Sequence, residues 1–132
     1  MKKKSVLDAY ALLAYLKKES GHARVKELLA SEDASLFMNS INVGDVFYIF
    51  ARGRGIKAAE YFKSVILPSL PVNIVENSFD DVIQAVRIKA EHSLSFADCF
   101  AAATAIREGA CLVTGDPEFK KLEKELQIEW LS

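Results

Sequence analysis

Apolar residues in this chain fall into two patterns: short unbroken runs, and longer stretches where they recur every three to four positions. Buried strands alternating with amphipathic helices produce that pattern. Val6-Leu7 and its flanks predict a first strand. Ala9, Leu12, Leu13 and Leu16 then follow at helical spacing until Lys17-Lys18-Glu19 and Gly21. Val25, Leu28 and Leu29 mark a second short helix, SLFMN (35–39) a strand, and Val43, Val46, Phe47 and Phe50 a third helix. RGRGIK interrupts it. Ala58, Phe62, Val65 and Ile66 predict a fourth helix stopped by Pro68. VNIV (72–75) is a strand, and Phe79, Val82, Ile83 and Val86 give a fifth helix. Ser95 opens a sixth, CLVT (111–114) is a buried strand, Phe119, Leu122 and Leu126 a short helix, and IEWL a last strand.

Uniformly apolar strands separated by helices imply a parallel sheet covered on both faces. The expected architecture is a single α/β sandwich over residues 1–132, with no repeat and no linker. A composition 51% hydrophobic and 27% charged fits a soluble globular protein. The net charge of −1 excludes a protein held on nucleic acid by bulk charge. Cys99 and Cys111 lie in segments that read as buried and lack metal-site spacing. Nothing resembles a signal peptide, and no apolar run reaches the ~20 residues that span a bilayer. A cytoplasmic location without membrane partners is expected.

Against this background four carboxylates stand out: Asp8 in SVLDAYALLAYL, Asp45 in SINVGDVFYIF, Asp98 in LSFADCFAAATAI and Asp116 in CLVTGDPEF. Carboxylates are seldom left in apolar segments unless paired, capping or coordinating. Each has a capping explanation. Asp8 could cap the first helix, Ser95 and Asp98 have capping-box spacing, as do Asn42 and Asp45, and Asp116 precedes Pro117. Asp98 is the sharpest case, the only charged residue from Leu94 to Ile106. If the first and fourth strands are neighbours at the point where strand order reverses, Asp8 and Asp116 meet beyond their carboxyl ends. The other helices are expected to lack such acids, which favours one shared site over scattered caps.

Two carboxylates about 4 Å apart repel by roughly 4 kcal/mol at an effective dielectric near 20. No Lys or Arg adjoins any of the four acids in sequence. A divalent cation would relieve the repulsion, and all-oxygen ligands select Mg²⁺ or Mn²⁺ over zinc. His22, beside Gly21, and His92, ahead of Ser95, read as ordinary surface residues.

At these residues the chain resembles a PIN-domain ribonuclease and, within that group, a VapC toxin. VLDAYALLAYL, INVGDVFYIFAR, SFADCFAAATA and LVTGDPEF carry the resemblance, in order and over nearly the whole chain. It implies a PIN-like three-layer sandwich with a five-stranded parallel sheet, and Mg²⁺-dependent endonucleolytic cleavage of RNA. It also implies homodimers and a cognate VapB-type antitoxin. The resemblance assigns the acidic quartet to Asp8, Asp45, Asp98 and Asp116, with Thr114 beside the last. The chain departs from the family's pattern at Asp45, where glutamate is usual; the shorter side chain would reach a cation only through water, or would leave a second ion weakly bound.

The residues themselves suit a metal-assisted phosphodiester hydrolase, in which a held cation activates water for in-line attack on phosphorus. Substrate phosphates could meet Arg52, Arg54 and Lys57, which read equally well as a solvated helix end. Tyr10, Tyr15, Phe47, Tyr48 and Phe50 read mostly as core, with any surplus available to a dimer or antitoxin groove. A signalling receiver would need adjacent acids after the first strand, where Ala9 stands. A haloacid-dehalogenase-type phosphatase would need D-x-D, where Tyr10 stands. The alternative that remains is a non-catalytic interaction module whose acids only cap helices.

Overall fold

The computed structural model of the chain describes residues 2–131, so Met1 and Ser132, the two ends of the expected 1–132 span, lie outside the described residues. The strands are β1 (Lys3–Leu7), β2 (Ala34–Asn39), β3 (Val72–Val75), β4 (Cys111–Thr114) and β5 (Ile128–Trp130). They form one sheet in the order β3-β2-β1-β4-β5, and every neighbouring pair is parallel. β1 is central and pairs with β4 through Ser5–Cys111, Val6–Leu112 and Leu7–Val113. Strand order therefore reverses between β1 and β4, where α/β sheets open a crevice.

The helices are α1 (Ala9–Leu16), α2 (His22–Ala30), α3 (Ser40–Arg54), α4 (Ile56–Tyr61), α5 (Leu67–Ser69), α6 (Phe79–Glu91) and α7 (Phe96–Glu108). Alternation along the strands sends successive side chains to opposite faces. Val6 and Leu112 pack with Ala85 of α6, Phe100 of α7 and the buried Phe119 and Leu122. Leu7, Leu36 and Val113 pack on the other face with Ala11, Val25 and Leu28 of α1 and α2. A further cluster joins α1, α3 and α4 through Leu12, Val46, Phe50, Ala59 and Phe62. Cys99 and Cys111 are buried free thiols, as expected. Among the described residues no helix is long and apolar enough to cross a membrane.

Several local expectations are corrected. Pro68 does not stop its helix, which continues to Ser69 through a π turn at Phe62–Ile66. A proline ring collides with the carbonyl four residues back in a regular α-helix, and the wider turn ahead of Pro68 relieves that collision. Pro117–Leu122 forms a 3₁₀ turn that excludes Leu126. α6 buries Ala85 and packs Val82 against the core, but leaves Phe79 and Val86 exposed, so only part of the apolar stripe read from the sequence faces the core. Tyr10 and Tyr48 are likewise exposed, whereas Phe50 is core. His22 is exposed as expected; His92 is half-buried, its Nε2 3.2 Å from the Glu125 carboxylate.

Candidate active site

β1 ends at Leu7, and the next residue, Asp8, caps α1 from the carboxyl edge of the sheet. The cap buries it: Asp8 is 2% exposed. The Ala11 N–H donates to its Oδ1 at 2.8 Å, and the Thr114 hydroxyl donates to its Oδ2 at 2.5 Å. Thr114, the last residue of β4, accepts in turn from the Asp116 N–H at 3.0 Å. One hydroxyl thus ties β1 to the loop that carries Asp116, and parallel pairing at the reversal point makes that contact possible.

Asp116 caps the 3₁₀ turn, accepting from the Glu118 N–H at 3.0 Å, with Pro117 at the first helical position. The Ser95 hydroxyl caps α7 by accepting from the Asp98 N–H at 3.1 Å. The Asp98 carboxyl lies close enough to that of Asp116 for the neighbouring carboxyl to raise it. Capping and convergence therefore coexist in these acids.

The electrostatics reflect that crowding. Burial pushes the Asp8 carboxyl up to about 7 from its ordinary 3.8, against the pull of the Thr114 hydroxyl and the Ala11 N–H, with the Asp116 charge adding to the rise. Burial, the neighbouring Asp116 carboxyl and the Asp8 charge push Asp98 up to about 8. Among the described residues no Lys, Arg or His forms an ion pair with Asp8, Asp98 or Asp116. These carboxylates thus carry the charge penalty that a cation would reverse.

The donor set fits a hard divalent ion: carboxylate and hydroxyl oxygens, with neither histidine nor thiolate. Yet among the described residues no three His, Cys, Asp or Glu side chains stand in a ligating arrangement. Asp45 stands apart. It is half-buried in α3, and burial alone raises its carboxyl, with no contribution from the other acids.

The expected capping role of Asn42 belongs to Asn39. The Asn39 side-chain oxygen accepts from the Asn42 N–H at 2.9 Å, and its amide donates to Asn42 at 2.8 Å and to Thr104 of α7 at 3.0 Å. Asn42 then donates to the Ala97 carbonyl at 3.1 Å, one residue before Asp98. This buried network joins β2 and α3 to the helix carrying Asp98. Sequence reading missed it because Asn39/Asn42 and Asn42/Asp45 share the same spacing. Asn39→Ala removes the cap and strands Asn42 and Thr104; it should cost about 3 kcal/mol in urea unfolding. A loss under 1 kcal/mol would mean the network is not structural.

The other helices do not lack acids at their starts, contrary to expectation. Ser78 and Asp81 form a reciprocal capping box on α6, and Asp81 pairs with Arg107 at 2.5 Å. Its carboxyl is held below the usual range by the Ser78 N–H and hydroxyl and by Arg107. An acid at a helix start is thus no sign of a site by itself; a lack of cationic partners distinguishes the group at the carboxyl edge.

Arg52, Arg54 and Lys57 are exposed. α3 starts at the carboxyl edge and runs back along the sheet, so Arg52 lies roughly 18 Å along its axis from the first residue. Arg52 instead reaches the Tyr48 ring, 5.9 Å from its centroid. Gly115 was not singled out in the sequence. A Cβ there would stand 2.3 Å from Cε1 and 2.5 Å from Cζ of Tyr10, so the bare glycine lets that ring lie against the Thr114–Asp116 turn.

A family model described as PIN domain matches residues 5–125. Among curated proteins no relative matches the chain. The fold is similar to VapBC2 from Rickettsia felis bound to a promoter DNA fragment, at 20% identity over 98% of this chain and 99% of that one, TM-score 0.75. It is also similar to DNA-bound VapBC from Salmonella typhimurium, at 17% identity over the full length of both chains, TM-score 0.74. VapC20 from Mycobacterium tuberculosis, described as a sarcin–ricin loop-cleaving toxin, matches at 20% identity over 89% of this chain and 93% of that one, TM-score 0.72.

Proposed function

The chain belongs to the PIN-domain family, whose model spans most of its length, and we propose that within it this protein is a cytoplasmic metal-dependent endoribonuclease of VapC type. The observation that supports this reading is the meeting of Asp8, Asp98 and Asp116 at the β1–β4 reversal, with Asp8 and Asp98 raised toward neutrality and no cationic partner among the described residues. These three side chains would hold Mg²⁺ or Mn²⁺, with Asp45 reaching it through water. When bound, the cation supplies the charge that activates water and offsets negative charge building on phosphorus. Asp8 is braced on both oxygens, so its orientation does not depend on the ion. Thr114 does the bracing and also ties down the Asp116 backbone. Asp98, raised by burial and by the neighbouring Asp116 and Asp8, would hold the cation in its ionised form.

The expected partners are RNA, a VapB-type antitoxin and a second copy of the chain. Exposed Tyr48, Ile56, Tyr61 and Val65 on and after α3, and Phe79, Val86 and Ile106 on α6 and α7, leave apolar surface for protein partners. Arg52, Arg54 and Lys57 would meet phosphates several nucleotides from the cut.

One observation favours the interaction-module alternative: Asp8 and Asp116 do cap helices, and the acids do not stand in a ligating arrangement. Purified protein incubated with single-stranded RNA separates the two. Cleavage that needs Mg²⁺ or Mn²⁺ and stops with EDTA supports the nuclease; intact RNA in both ions supports the module.

Gly115→Ala tests the turn itself. Its Cβ would drive the Tyr10 ring off Thr114–Asp116, lowering cleavage on the order of tenfold to a hundredfold. Adding Tyr10→Ala should recover most of that loss. Wild-type cleavage by the single variant would show that the turn tolerates the displacement.

A further inference from the structure

Beside the turn that carries Asp116 lies a shallow pocket of about 440 Å³ lined by Gly115, Pro117, Lys120 and Trp130. Its position follows from the sheet. Trp130 is the register partner of Thr114 across the β4–β5 pair, and the next residue's N–H donates to the Thr114 carbonyl at 3.0 Å. The indole is therefore fixed by backbone pairing to the residue that braces Asp8. It is half-buried against the core that holds Phe119 and Leu122, which leaves its remaining surface for the pocket.

The lining chemistry is that of a nucleotide. A planar indole and a proline ring offer apolar surface to a base, and base stacking on an aromatic needs no sequence preference. Lys120 is exposed, and among the described residues it forms no ion pair, whereas its neighbour Lys121 is committed to Glu118 at 2.8 Å and to the Ser93 carbonyl. An uncommitted ammonium lining one pocket with an indole, four residues along the chain from Asp116, suits a base and its phosphate flanking the cut.

We propose that this pocket is a nucleobase subsite, in which Trp130 stacks the base beside the scissile phosphate and Lys120 meets that nucleotide's phosphate. The proposal rests on the nuclease reading and adds a residue that positions substrate.

Trp130 is the only tryptophan in the chain, so its fluorescence reports on this pocket alone. With EDTA present to prevent cleavage, single-stranded RNA pentamers should quench the wild-type emission saturably. Inorganic tripolyphosphate should not. With Mg²⁺, Trp130→Leu should raise KM about tenfold with kcat nearly unchanged, while Trp130→Phe keeps KM within about twofold. Wild type that cleaves RNA without any change in emission, or equal quenching by tripolyphosphate, overturns the subsite even if Trp130→Leu cannot be purified folded. Saturable quenching by RNA in a wild type that never cleaves upholds the pocket and overturns the nuclease reading instead.

Discussion

Replacing Asp98 by asparagine should do two opposite things: abolish RNA cleavage and make the metal-free protein more heat-stable at pH 8. The first follows from its place in the acid group, where it would hold the cation with Asp8 and Asp116; losing one charged ligand should lower the rate by about a hundredfold or more. The second follows from its surroundings. Burial and the neighbouring Asp116 and Asp8 charges raise Asp98 to about 8, so its ionised form works against the fold. Asparagine has the same shape, carries no charge, and can donate to Asp116. Thermal unfolding in EDTA at pH 8 and an RNA cleavage assay with Mg²⁺ measure both. A residue kept solely for capping behaves otherwise. Near-wild-type cleavage by the folded variant, or a lower melting temperature, would count against the assigned role.

The second large effect is a dependence of stability on pH and Mg²⁺ together. Asp8 and Asp98 both have folded-state values, about 7 and about 8, above the ordinary 3.8. A raised acid favours the fold fully while it is protonated in both states, below the unfolded value. As pH climbs past about 4, the unfolded chain releases its protons while the fold retains them, and stability declines until the folded carboxyls ionise near 7 to 8. For the fully buried Asp8, at about 1.4 kcal/mol per tenfold change in proton affinity, the penalty is on the order of 4 kcal/mol. Asp81 acts in the opposite sense, since its lowered value favours the fold only once it is ionised.

Mg²⁺ binds the ionised carboxylates, so its stabilisation should be large at pH 8 and nearly absent at pH 5. Melting temperatures at the two pH values, each with Mg²⁺ and with EDTA, test this. A metal-free melting temperature that is flat from pH 5 to 8, or equal Mg²⁺ stabilisation at both, would show that these acids do not form a cation site. Asp98→Asn should also flatten the upper part of the metal-free profile. These two experiments read the same charges from opposite sides.

Much of the site was legible because burial leaves marks in a sequence. Asp98 stands as the only charge in an apolar helix, and a carboxylate in such a setting must be satisfied by something. Asp8 and Asp116 each follow a strand at a helix start, and parallel α/β sheets place such positions along one edge. Asp45 is marked by the same misplaced charge in an apolar stretch, and burial raises its carboxyl. Its position on α3 says which helix it rides, not how far its carboxyl lies from the other three.

Other features could not be read at all, since they consist of contacts between remote segments. The Asn39–Thr104 bond spans β2 and α7, the Tyr10–Gly115 approach spans α1 and the loop after β4, and Trp130 gains meaning only through its pairing with Thr114. Phe79 and Val86 show the reverse failure. Their helical spacing is real, but the face of α6 that meets α7 is a matter of packing, and Ala85 took it.

The amino-acid sequence by itself determined the alternation of strands and helices, the parallel covered sheet and the identity of the crowded acids, because periodicity and misplaced charge are local properties. Only the tertiary structure decided that β1 lies beside β4, that Thr114 braces Asp8, and that Trp130 pairs with Thr114. Those facts depend on strand order and register, which bring together residues as far apart as Asp8 and Thr114 and which no single segment encodes.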